Sequence, residues 1–133
     1  MSGGAAVQTA TTGFTRMFPG RPEEISRVRG EVARYVSGHS AADDIVLIVS
    51  ELAANAALHS RSKGDFYTVS VELHPRYVYI EVEDAGGDWH LQPPDPVHPH
   101  GLQLVEAFAG AENWGVEGDS AGRVVWARLE LPQ

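Results

Sequence analysis

Apolar positions recur along this chain with two periods, and the changes between them mark out the elements. "FTRMF", Phe14 to Phe18, alternates and predicts a short strand. "PGRP" breaks it, and Pro22 is suited to the first turn of a helix. In "EEISRVRGEVARYV", Ile25, Val28, Val32, Tyr35 and Val36 fall at helical spacing with charges on the other side. Gly30 weakens that helix and "SGHS" closes it. A second helix is predicted from about Ala41 to His59, with Ile45, Ile48, Val49, Leu52 and Ala56 as its stripe. After the loop "SRSKGD", two alternating runs predict a hairpin turned by "HPR". Tyr67, Val69, Val71 and Leu73 point inward from the first run, and Val78, Ile80 and Val82 from the second. "AGGDWHLQPPDPVHPH" is a long loop rich in Gly and Pro. A short helix in "GLQLVEAFAG" follows, then a strand in "AENWGVE". "GDSAG" turns the chain into a closing strand, "RVVWARLEL", with Val125, Ala127, Leu129 and Leu131 on one face.

Strands and helices are grouped rather than strictly alternating. The expected fold is therefore α+β, a two-layer sandwich of a mixed, mostly antiparallel sheet with helices on one face. At 133 residues the chain suits one domain, read as 13–133 behind a small, polar tail at 1–12 that is expected to be disordered.

Charge narrows the choice of ligand. The formal net charge is −8, from 18 acidic and 10 basic residues, and no basic stripe is concentrated anywhere, so direct nucleic-acid binding is not expected. A domain this acidic that binds a nucleotide must hold the phosphates with a metal ion or with backbone N–H groups. There is no cysteine for disulfides, thiolate metal sites or thiol nucleophiles. No apolar run approaches the ~20 residues of a membrane span, and the N-terminus lacks the pattern of a secretory signal. The expected location is the cytoplasm.

Three stretches carry candidate chemistry. "SELAANAALHS" places Glu51 and Asn55 four residues apart along one edge of the apolar stripe, with Asp44 near the same row. Such a carboxylate can act as a general base, and an amide oxygen suits a hard cation such as Mg²⁺. In "EDAGGDW", Asp84 ends an apolar strand beside Gly86 and Gly87, where backbone can approach a ligand closely. A carboxylate there can accept a hydrogen bond from an exocyclic amine such as that of adenine. In "HGLQLV", Gly101 leads into a helix whose free N–H groups suit phosphate. Read singly, these are a helix-surface pair, an Asp-Gly turn and a helix-opening glycine.

Taken in order, the three stretches resemble the boxes of the GHKL (Bergerat-fold) ATPase superfamily, above all its small anti-sigma-factor serine/threonine kinases and related regulatory proteins of actinobacterial type. "SELAANAALHS" is similar to the N box, "DAGG" to the first glycine box and "HGLQLV" to the second. The resemblance implies ATP and Mg²⁺ as cofactors. It also implies Glu51 as base for the attacking hydroxyl, Asn55 as the Mg²⁺ ligand and Asp84 as acceptor of the adenine amine. Gly86 and Gly87 would shape that pocket, Gly101 and the Leu102 backbone would wrap the phosphates, and the long loop would be a lid. The implied partners are a sigma factor or an anti-sigma-factor antagonist, and analogues of this kind often form homodimers. The implied activity is transfer of the ATP γ-phosphate to a partner's Ser or Thr. Asp88 and the Pro99–His100 pair depart from the usual glycine pattern. They keep a second reading open, a Bergerat-fold module that regulates by docking alone. A zinc site on His90, Asp95, His98 and His100 is disfavoured by the awkward geometry of His-Pro-His. Trp89, Trp114 and Trp126 are read as core or partner-facing.

Overall fold

The computed structural model describes residues 12–59, 65–85, 102–119 and 122–132. Five strands run β1 (Thr12–Pro19), β2 (Phe66–Leu73), β3 (Tyr77–Asp84), β4 (Trp114–Asp119) and β5 (Gly122–Glu130). Among the described residues three α-helices join them: α1 (Ile25–Tyr35), α2 (Ala42–His59) and α3 (Gln103–Ala109). A single 3₁₀ turn at Pro22–Glu24 leads into α1, with Pro22 in its first turn as the sequence predicts.

The sheet order is β1-β2-β3-β5-β4, and every pairing is antiparallel. The chain leaves β3, builds α3 and the edge strand β4, and returns as β5 into the slot beside β3. Alternation within the strands assigns two faces. Phe18, Tyr67, Val69, Val71, Val78, Ile80, Val82, Val125, Ala127 and Leu129 are buried under the helices. Their odd-numbered or even-numbered neighbours form the other face, on which no described element packs.

The centre of the helical layer is α2, which contacts β3, β2 and β5 beneath it and a helix on each side. This explains its composition. Ile45, Ile48, Val49, Leu52, Ala53, Ala56 and Ala57 are all buried. At 100° per residue the arc from Asn55 round to Ala57 spans roughly 200°. A helix touching only the sheet would bury a narrower stripe. The alanines let neighbours approach closely, and Asp43 and Asp44 in the first turn suit the positive end of the helix dipole. Arg16 on β1 reaches Glu31 on α1 at 3.4 Å, and Arg27 lies over the Phe18 ring at 5.4 Å. These exposed contacts trim the edge of the layer more than they hold it.

One transverse row of the buried face is polar. Phe18 pairs with Tyr67 and Asp84 with Arg123, and Tyr67 and Asp84 each lie one position beyond the Thr68–Glu83 pair of β2 and β3. The Tyr67 hydroxyl is buried and has no hydrogen-bond partner. Burial, followed by the nearby charge of Glu24, pushes its pKa up to about 12 from 10.0. The unfolded chain therefore ionises this phenol before the folded chain does, and stability falls as pH rises from 10 towards about 12. Tyr67→Phe is expected to be neutral or slightly stabilising at pH 7, since it deletes an unsatisfied group. It should also flatten the alkaline loss relative to the wild type. Urea unfolding of both proteins between pH 8 and pH 12 reads this; parallel pH profiles would show that Tyr67 is not the responsible group.

Candidate functional site

Among the described residues only three polar or charged side chains count as buried: Asn55, Asp84 and Arg123. Two of them were singled out from the sequence.

Asn55 sits on α2 within the buried arc, 6 % exposed, while Glu51 one turn earlier is half-buried. The sequence placed both at the border of the core. The structure puts Asn55 inside it and Glu51 just outside, because the flanking helices widen the buried arc of α2. Both Asn55 side-chain atoms, Oδ1 and Nδ2, lack a hydrogen-bond partner. An amide left so costs about 1–3 kcal/mol per unsatisfied group. No described residue recovers that cost, so the site fits a ligand that supplies the missing bonds. Its oxygen is a suitable donor for a hard divalent cation.

Asp84 closes β3, with its side chain 3 % exposed. Its carboxylate Oδ1 lies 3.5 Å from Nη2 of Arg123, whose side chain is 7 % exposed. The two residues are direct cross-strand partners on β3 and β5. Burial pulls the Arg123 guanidinium's pKa down from its ordinary value, and the charge of Asp84 and its hydrogen bond oppose that pull. Arg123 was not picked out from the sequence, although a signal existed. It has the same parity as Val125, Ala127 and Leu129, so extending the inward face of "RVVWARLEL" back by two residues lands a cation in the core. The carboxylate expected to accept an adenine amine is thus already engaged by a guanidinium.

Leu102 is fully buried and immediately precedes α3, where its carbonyl accepts the Glu106 N–H at 3.0 Å. The side chain anchors the start of this helix in the core, beside Val105 and Ala109. Glu106 in turn accepts the Trp114 indole N–H at 3.1 Å, tying α3 to β4. Gly86, Gly87 and Gly101 lie outside the described residues, as do Asp88, Trp89 and the loop histidines of the zinc alternative. No group of three metal-ligating side chains occurs among the described residues, and no described helix is long and apolar enough to cross a membrane.

No protein-family model matches the chain, and no curated protein does. Among solved structures, the fold matches that of the RsbU and RsbW domains of Rv1364c from Mycobacterium tuberculosis. The TM-score is 0.68 at 19% sequence identity. The match covers 91% of this chain and 33% of that chain, so the protein spans about a third of that neighbour's length. At this identity the likeness is one of fold: a two-layer α+β sandwich with a five-stranded antiparallel sheet.

The ion pair can be tested by stability. Asp84→Asn leaves the Arg123 charge uncompensated in the core and is expected to cost about 3 kcal/mol or more. Combining it with Arg123→Met should cost less than the sum of the two single changes. Urea unfolding of the three variants measures the coupling, and strictly additive losses would show that the pair does not interact.

Proposed function

We propose that this is an ATP-binding regulatory protein of the Bergerat type. In this reading residues 13–133 form the nucleotide-binding domain, and the protein acts as an anti-sigma factor with serine/threonine kinase activity towards a partner protein. The single observation that carries the reading is the Asn55 amide, buried with both polar atoms unsatisfied one helical turn from a half-buried carboxylate. The order of the three sequence boxes and the shared fold with a chain containing an RsbW domain support it further.

In the reaction so read, Asn55 Oδ1 would hold Mg²⁺, and the ion would supply charge neutralisation that this acidic chain lacks. Glu51 would accept the proton of the attacking Ser or Thr hydroxyl as its oxygen bonds to the γ-phosphorus and ADP leaves with the electron pair of the broken O–P bond. Asp84 would accept a hydrogen bond from the exocyclic amine of the base. The roles the resemblance gives Gly86, Gly87, Gly101 and the Leu102 backbone would complete the pocket. The acceptor hydroxyl belongs to a sigma factor's antagonist, and the chain binds the sigma factor or that antagonist.

A second reading has one specific observation in its favour. A guanidinium competes better than a neutral amine for a buried carboxylate, because it adds the attraction of a full opposite charge to the hydrogen bond. The Asp84–Arg123 pair therefore favours a module that regulates by docking without turning over nucleotide.

Calorimetry with Mg·ATP separates the two. The wild type is expected to bind in a Mg²⁺-dependent way, and no detectable heat would leave the docking module as the reading. Glu51→Ala should abolish phosphate transfer to the partner while retaining ATP binding; undiminished transfer would remove Glu51 from its role. Asn55→Leu fills the same space without polar atoms. It is expected to raise the stability of the ligand-free protein by about 1–2 kcal/mol and to abolish Mg·ATP binding. A destabilised variant would mean that the Asn55 amide is satisfied after all.

A further inference from the structure

The face of the sheet opposite the helices has its own chemistry, which the nucleotide reading does not use. Its residues follow from the register. Glu72, Tyr79 and Arg128 form one transverse row across β2, β3 and β5, and the Asn113 carbonyl accepts the Arg128 N–H at 2.8 Å. The next row carries Ser70, Glu81, Trp126 and Gly115. Gly115 lies directly across from Trp126, and a Cβ added there would meet the indole Nε1 at 2.8 Å. A glycine at this point therefore lets the indole lie down over the edge strand.

The outcome is a groove of about 450 Å³ lined by Glu72, Tyr77, Tyr79, Glu117, Trp126 and Arg128, with Asn113 at its end. Its aromatic floor is continuous: Tyr79 and Trp126 stack at 6.2 Å with planes 21° apart. Within it the chain already places a guanidinium on an aromatic ring, Arg128 over Tyr77 at 3.8 Å, with Glu130 accepting from Arg128 Nε at 2.6 Å. The described side chains of this face include five carboxylates, Glu72, Glu81, Glu83, Glu117 and Glu130, against one cation, Arg128. The Tyr79 phenol senses them. Burial pushes its pKa up first, then its hydrogen bond to Glu81 and the charges of Glu81, Glu117 and Glu72.

We propose that this face docks a basic, arginine-bearing segment of a partner protein, with a guanidinium lying on the Tyr79–Trp126 pair between Glu72 and Glu117. Charge complementarity selects that occupant. A planar guanidinium stacks on aromatic faces and pairs with carboxylates in the same pose. A second copy of the chain would set five carboxylates against five, and like charges across an interface cost several kcal/mol. Residues 1–11 of this chain hold no charged side chain, and so no guanidinium for the groove.

The test uses the ¹⁵N-labelled full chain and follows the Trp126 indole N–H, assigned with Trp126→Phe. Tri-arginine amide is titrated at low salt, with tri-glutamate as the control. Tri-arginine should shift the Trp126 resonance saturably, and tri-glutamate should not. The affinity should fall by about fivefold or more in Glu72→Gln/Glu117→Gln, whose substitutions lie in the groove and not in the core. The proposal is overturned if tri-arginine acts no differently from tri-glutamate, or if the double variant binds with unchanged affinity. It is also overturned if sedimentation velocity shows a dimer whose formation alone shifts Trp126, which would assign the face to a second copy. None of these readouts depends on nucleotide, so a failed Mg·ATP titration leaves the outcome legible.

Discussion

Everything in this fold rests on how closely α2 lies over β3. A helix can occupy the middle of a sheet, with a helix on either side, only if most of its circumference is apolar and part of it is small. Ala53, Ala56 and Ala57 supply the small surface, and Ile45, Ile48, Val49 and Leu52 supply the area. At roughly 25 cal/mol per Å² of apolar surface removed from water, burying these side chains is a large favourable term for the core. The outer helices and strands gain their own burial from its position. Leu102 and Val105 bring α3 onto the core from one side, and Val28 and Val32 bring α1 from the other.

Against that background Asn55 is conspicuous. Leucine would fit the same position on α2 with no unsatisfied atom. A buried amide that the fold leaves unpaired is a local instability held in place by the packing around it, and sites of that kind cluster where ligands bind. Asp84 and Arg123 differ. They satisfy each other in part, and the stability of β3 against β5 depends on both being present. The described core thus contains an amide whose missing bonds a ligand could supply and an ion pair whose guanidinium would compete with such a ligand. The kinase and docking readings diverge on the relative strength of these two features.

Much of this was legible in the sequence, for a physical reason. Strands buried on one face must alternate, so the alternation of "FYTVSVEL" and "YVYIEVED" fixed both the hairpin and its inward residues. The entry of α1 through Pro22 followed from the proline's missing N–H. Periodicity was less informative where burial came from several directions. It put Asn55 at the border of the core, because a stripe calculation counts only the surface below the helix and not the helices beside it. It also passed over Arg123, because a charged residue at the start of an apolar run is ordinarily taken as the polar edge of a turn. The all-antiparallel pairing depends on β5 inserting between β3 and β4, a choice of neighbour that no local pattern encodes.

Strand β5 shows why the two faces cannot be considered separately. Its alternation sends Arg123 inward to Asp84 and Trp126 outward over Gly115. A slip of one residue would reverse both, exposing the guanidinium and driving the indole into the core. Two devices on β4 oppose that slip. Gly118 has φ 107°, and a side chain there would collide with the Gly122 carbonyl, so this position is committed to glycine at the β4–β5 turn. Gly115, three residues earlier, is the point where the sheet leaves room for Trp126. The same two glycines that fix the register therefore keep the ion pair buried on one face and the aromatic floor open on the other. A substitution at either is felt on both.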